Sequence, residues 1–296
     1  LGQIDLGFTQ LPDNLLRGMS LLGHLRLLPG SRILTSLLDR FQGAGSIFSV
    51  DLESGRADAT QRRWMEADKA DDYVTSGIEK RERGDLAGAI VDYTKAIELK
   101  PDYPIAYFYR GLAWQAKKKY DKAIADYTQA IKLRPDLALT YKLRGMTHYV
   151  SRSWKNGLAD FRKAASLKPK NSDYARIFTW LCRTRLGEGP FATLGLREYL
   201  GQRQAGEDSD WTLATIFFLT DRFSEEELQS KAASNDEETK KERQCEAFYY
   251  LGFRRLMAGE KEAAVEYFRK CVGTGVENYA VYQAAVGELE VLRKQR

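Results

Sequence analysis

A chain of 296 residues, 43% apolar and 29% charged, has the length for one large domain or two small ones and ample area to bury a core. Its formal net charge of +5 is too small and too mixed to argue for nucleic acid, and its three cysteines are too few and too irregularly spaced for a disulfide framework or a zinc site. No run of about 18 uncharged apolar residues occurs, so no helix is expected to span a bilayer.

Residues 1–69 read as an arm and linker. Lysine first appears at Lys69, although arginines occur throughout. The stretch Leu11–Phe41 is leucine-rich and is broken at Pro29-Gly30. A helix is expected from about Pro12 to Leu28. After it, Ser31 can cap a second helix whose apolar stripe is Ile33, Leu34, Leu37, Leu38 and Phe41. Leu34, Leu37, Leu38 and Phe41 form a docking face, for the solenoid end in cis or for a partner or membrane surface. Phe41–Arg56, rich in Gly and Ser, reads as a linker. Leu1 in place of Met leads us to expect that a leader was removed or the chain trimmed upstream.

From Ala70 to Asn171 the sequence repeats three times. Gly77, Gly111 and Gly145 lie 34 residues apart (111 − 77 and 145 − 111). So do Ala89, Ala123 and Gly157; Tyr93, Tyr127 and Phe161; Ala96, Ala130 and Ala164; and Pro101, Pro135 and Pro169. Such a period is the mark of stacked helix–turn–helix units. The small residues permit two antiparallel helices to cross closely, and the aromatic and alanine share the inward face at i, i+4, i+7 spacing. Proline cannot continue a helix, so Lys100, Arg134 and Lys168 mark helix ends, where a cation also suits the dipole. Turns are expected at Gly84-Asp85, Lys119-Tyr120-Asp121 and Ser151-Arg152-Ser153. These residues resemble the tetratricopeptide repeat (TPR), which implies an all-α solenoid wound as a right-handed superhelix.

Beyond residue 171 the pattern decays into degenerate helices. A helix is expected over Tyr174–Leu186, broken by Gly187-Glu188-Gly189-Pro190, with Pro190 opening the next. Trp211–Leu219 is short and apolar, and Ser224-Glu225-Glu226-Glu227 is a capping box. Gly252, Ala264, Phe268 and Cys271 repeat the TPR intervals, giving a clearer unit near 245–276. A last helix runs from about Asn278 to Arg293, with Tyr279, Tyr282, Ala285, Leu289 and Leu292 inward. Cys271 takes the small-residue position of its unit, and pairing of Cys182 with Cys245 stays open.

The block from Trp211 through Phe217-Phe218-Leu219, Glu246–Gly252 and Val276–Tyr279 to Glu288-Leu289 is similar to the bacterial NlpI-type TPR lipoproteins, over about residues 70–293. That resemblance implies a non-enzymatic, often dimeric adaptor at the outer membrane, presenting wall hydrolases to a tail-specific protease. Two features depart from it: no cysteine precedes Cys182, and the leucine-rich arm has no counterpart. The arm suits a second reading, a structural subunit or assembly factor of a large membrane complex in an envelope or an organelle.

No catalytic constellation stands out. His24 and His148 have no Ser, Cys or acid at a motif spacing, and no cofactor or metal is expected. The tryptophans at helical spacing read as core. Binding should therefore use the groove that TPR stacks line with the first helix of each unit. Its residues here would be Val74 and Ile78; Ile105, Phe108 and Leu112; and Leu139, Met146 and Tyr149. This set is apolar, unlike the Lys and Asn of chaperone clamps, and fits an amphipathic helix or extended apolar segment of another protein. The chain's own terminal helix is the alternative occupant.

Overall fold

A computed structural model describes residues 59–168, 172–202 and 210–295, with side chains from residue 69 onward. The chain divides into two units, Leu1–Gln61 and Arg62–Arg296; the described residues fall almost wholly in the second. The expected arm, with Leu34, Leu37, Leu38 and Phe41, lies outside the described residues.

All regular structure among the described residues is α-helical. The helices are α1 (Ala59–Glu82), α2 (Leu86–Leu99), α3 (Pro104–Ala116), α4 (Tyr120–Leu133), α5 (Ala138–Val150), α6 (Trp154–Leu167) and α7 (Asp173–Arg185). After them come α8 (Gly189–Gln202), α9 (Asp210–Leu219), α10 (Glu225–Lys231), α11 (Glu237–Met257), α12 (Lys261–Gly273) and α13 (Ala280–Lys294). The first twelve read as six hairpins, and α13 follows them.

One backbone device makes the hairpins. A residue with positive φ ends the first helix at Gly84, Lys118, Arg152, Gly187, Asp221 and Gly259. The first five are 34, 34, 35 and 34 residues apart (118 − 84, 152 − 118, 187 − 152, 221 − 187), so the period outlives the sequence motif. At each turn the next N–H reaches back five residues, as in Asp85 to Lys80, Lys119 to Trp114, Ser153 to His148, Glu188 to Arg183, Arg222 to Phe217 and Glu260 to Arg255. That is the left-handed C-terminal cap of a helix, which satisfies two carbonyls that would otherwise be orphaned. The second turn therefore falls at Lys117–Lys119, earlier than expected, and Tyr120 already belongs to α4. A side chain at positive φ costs roughly 1 kcal/mol. Lys118→Gly, at an exposed site, is thus expected to stabilise the chain by about 0.5–1 kcal/mol, read as a rise in the urea midpoint.

The repeated glycine serves a ring rather than a backbone crossing. A Cβ at Gly77 would lie 2.5 Å from the Tyr93 ring, at Gly111 2.7 Å from Tyr127, at Gly145 3.0 Å from Phe161 and at Gly252 2.9 Å from Phe268. Each aromatic of the second helix packs its ring against the glycine of the first. The other small position does make a backbone approach: a Cβ at Gly157 would meet the Gly145 carbonyl at 3.1 Å.

A polar ladder joins neighbouring hairpins. Arg110 donates through Nε and Nη2 to both oxygens of Asp126, at 2.8 and 2.7 Å, and through Nη1 to Thr94 of the preceding hairpin at 3.1 Å. Arg144 repeats the arrangement with Asp160 and Thr128 at 2.8, 2.7 and 2.9 Å. In the first hairpin Lys80 and Ser76 both donate to Asp92, at 2.6 and 2.7 Å. Forked, partly desolvated pairs of this kind fix geometry better than exposed ion pairs do.

The fourth hairpin explains the decay. Its turn comes one residue late, so helix positions shift by 35. Trp180 then falls where Gly145 was, Leu196 where Phe161 was, and Thr179 and Gly195 where the Arg–Asp pair was. Bulk has moved from the second helix to the first. Trp180 and Leu196 are both buried, in a core shared by all later helices.

The C-terminal half turns back on the third hairpin. Helix α13 packs on α11 and α12, and also on α5. Tyr149 of α5 and Tyr249 of α11 share a hydrogen bond of 2.5 Å between their hydroxyls. Glu288 of α13 accepts a hydrogen bond from Arg152 at 3.0 Å and forms an ion pair with Arg185, whose Nη2 lies 2.6 Å from Oε1. Arg185 also lies over the rings of Phe253 and Trp154. The capping box at Ser224–Glu227 is complete, with both reciprocal hydrogen bonds formed.

Candidate interaction face

The first helices α1, α3 and α5 carry the eight groove residues named from the sequence, and the structure divides them. Val74, Phe108 and Tyr149 are buried, at 5%, 6% and 3% exposure, and give their side chains to the cores. Ile78 and Ile105 are half-buried against the first core, Leu112 against the second. These three keep part of their surface. Leu139 and Met146 are half-buried too, but line a pocket of about 280 Å³ whose other walls include Tyr174 and Phe178 of α7, Glu246 of α11 and Tyr279–Val281 at the start of α13.

Two stretches of the first-helix face thus differ. Over the third hairpin the face meets the chain's own C-terminal helices. Over the second, α3 is packed chiefly by its hairpin partner α4 and by α2 of the preceding hairpin. Two cation–ring contacts lie on the same hairpins: Arg81 over the Tyr109 ring at 5.6 Å, and Lys122 over Trp114 at 4.4 Å. Such contacts hold long side chains along aromatic surface; Lys122 is exposed, whereas Arg81 is half-buried with its Nε out of contact with water.

The twelfth position of each repeat unit, counted from Ala70, Pro104 and Ala138, links hairpins, a role the sequence reading missed at two of three sites. Arg81, Gln115 and Tyr149 lie 34 residues apart (115 − 81, 149 − 115). The Gln115 side-chain oxygen accepts from Tyr127 at 2.8 Å and from Thr147 of the next hairpin at 3.2 Å. Lys142, on the pocket wall, was also passed over. Gln115 shares its register with Arg81 and could have been found by aligning polar positions, whereas Lys142 takes the register of the apolar Val74 and Phe108.

Titratable groups here look structural. Burial depresses the His148 imidazole, against a smaller opposing pull from Asp160, whose oxygen is 4.0 Å from Nε2. That carboxylate is already taken by both prongs of Arg144. Burial pushes Glu246 up to about 8, and its Oε2 accepts from the Trp211 indole at 2.7 Å. Among the described residues no group of three or more His, Cys, Asp or Glu is placed to hold a metal ion, and no helix is long and apolar enough to cross a membrane. The sulfur neighbours are Cys245 and Cys271, 3.5 Å apart, not Cys182 and Cys245; all three cysteines are free and buried.

Comparison with known proteins agrees with the repeat geometry. Residues 77–118 match the model of the TPR repeat, and residues 104–137 that of the tetratricopeptide repeat. Residues 77–137 therefore match tetratricopeptide repeats. No curated protein matches it. Among solved structures, the MamA protein aligns over 71% of this chain and 93% of its own, with 16% identity and a TM-score of 0.45. The first TPR of Spaghetti (RPAP3), bound to an HSP90 peptide, aligns over 41% of this chain and 95% of its own, with 23% identity and a TM-score of 0.39. The TPR2B domain of yeast Sti1, in a complex with pHsp70, aligns over 40% and 98%, with 19% identity and a TM-score of 0.37.

Proposed function

We propose that this chain is a non-enzymatic scaffold that binds a partner protein on the first-helix face of its first two hairpins. The observation behind this reading is the contrast between the two stretches of that face. Ile78, Ile105 and Leu112 keep part of their apolar surface, whereas Leu139 and Met146 line a pocket closed on another side by the start of α13. Half-exposed apolar surface along a helix face fits an amphipathic helix or extended segment with apolar anchors.

The finer reading is an adaptor of the NlpI kind, in a cell envelope, with a tail-specific protease and its substrates as partners. It rests on the likeness of the Trp211–Leu289 block. In the alternative, motivated by the leucine-rich arm, the chain is a subunit or assembly factor of a membrane complex. Affinity capture of the tagged chain from its host, with Ile78→Glu/Leu112→Glu beside the wild type, tests the scaffold. The double variant is expected to lose captured partners at least tenfold while keeping its helical circular-dichroism signal. Unchanged capture would refute the assigned face. Recovery of a protease would favour the adaptor, and a stoichiometric set of membrane subunits the alternative.

A further inference from the structure

The sixth hairpin holds a feature that partner binding does not use. Cys245 on α11 and Cys271 on α12 face each other with their sulfurs 3.5 Å apart, both fully buried. A disulfide needs the sulfurs at about 2 Å on helices already adjacent, a closure that small rotations of two side chains can supply. The third cysteine provides an internal contrast. Cys182 is equally buried on α7, it packs against the Gly157 position of α6, and burial pushes its thiol up to about 12. The hydrogen bond from Cys271 holds the Cys245 thiol below its ordinary range, against the opposing effect of burial, with a further contribution from Thr274. Either sulfur can be the donor in this contact, and Cys245 is taken as the attacking thiolate.

We propose that Cys245 and Cys271 are a redox modification site, closing to an intramolecular disulfide that staples α11 to α12. With a peroxide as oxidant, the Cys245 thiolate attacks one peroxide oxygen, becomes a sulfenic acid and releases hydroxide, which takes up a proton to leave as water. The Cys271 sulfur then attacks the Cys245 sulfur. The S–S bond forms, the S–OH bond breaks, and the thiol proton leaves with that hydroxide as a second water. Two electrons pass from the sulfurs to the peroxide. The bond would clamp the hairpin on which α13 rests, and α13 covers α5. Oxidation therefore fixes the lid on the third-hairpin face, and reduction loosens it. Burial of both thiols sets the rate, since the oxidant gains access when the hairpin opens.

The test treats the full chain with hydrogen peroxide, in the native state and during refolding from urea. Free thiols are then blocked in denaturant, and the chain is cleaved without reductant for peptide mapping by mass spectrometry. The expected result is a linked peptide pair containing Cys245 and Cys271, a fall from three alkylatable thiols to one, and Cys182 as the thiol that remains. Slower amide exchange in α11–α13 of the oxidised chain should accompany it. Cys271→Ser should abolish the link and leave Cys182 unlinked. Absence of the Cys245–Cys271 link under both conditions, or links that mainly involve Cys182, would overturn the proposal.

Discussion

Glu288→Ala is expected to lower the stability of the chain by about 3–5 kcal/mol, the cost of leaving a buried cation without its counter-charge. The Glu288 side chain is 7% exposed and that of Arg185 6%, so water cannot take over the lost contact. Arg185 would still lie over the Trp154 and Phe253 rings, but the strongest of its contacts would be gone. The Arg152 side chain, 38% exposed, can turn to solvent, and Arg152→Ala should cost well under half as much. A companion variant separates charge from contact. Glu288→Leu combined with Arg185→Met removes both charges while keeping apolar volume, and should recover most of the loss. Urea unfolding followed by tryptophan fluorescence reads all four chains. A loss below about 1 kcal/mol for Glu288→Ala would mean that α13 is not latched through this pair.

Gly111→Ala is expected to destabilise by about 1–3 kcal/mol, because its new Cβ would sit 2.7 Å from the Tyr127 ring and something must move. Tyr127 is fully buried, and its hydroxyl donates to Gln115, so the ring has little room to retreat. Removing the ring instead, by Tyr127→Ala, opens a cavity and should cost on the order of 3–5 kcal/mol. The double variant is the informative one. Once the ring is gone the three atoms nearest the methyl at 111 are gone with it, so the two losses should not add, and the double should be about as stable as Tyr127→Ala alone. Additive losses would show that glycine is needed here for some reason other than the ring above it.

Local chemistry decided how much could be read from the sequence. The period was visible over 70–171 because each glycine–aromatic pair is a steric necessity and each proline a helix stop. The Arg–Asp ladder obeys the same spacing at Asp92, Asp126 and Asp160 and at Arg110 and Arg144, and is as legible once polar positions are aligned. The later hairpins keep the turn and lose the motif, since the one-residue slip at Gly187 and the exchange of bulk between Trp180 and Leu196 erase the register. The capping box at Ser224 survives because it is local. What no periodicity could supply was the return of α13 to α5. That contact joins residues 136 apart, as in Arg152 with Glu288, and decides which part of the first-helix face stays open. Phe108, outward by counting positions, is inward by packing against Tyr109 and Tyr127 of its own hairpin.

The most direct test of the central claim is site-specific photo-cross-linking in the host, with a photoreactive residue placed in turn at Leu112 and at Met146 of the full tagged chain. The account predicts that position 112 joins the chain to a separate partner protein, while position 146 joins it to its own α13 near Tyr279–Val281. Capture of an external protein at position 146, with none at position 112, would contradict it and place the binding face beneath the C-terminal helix.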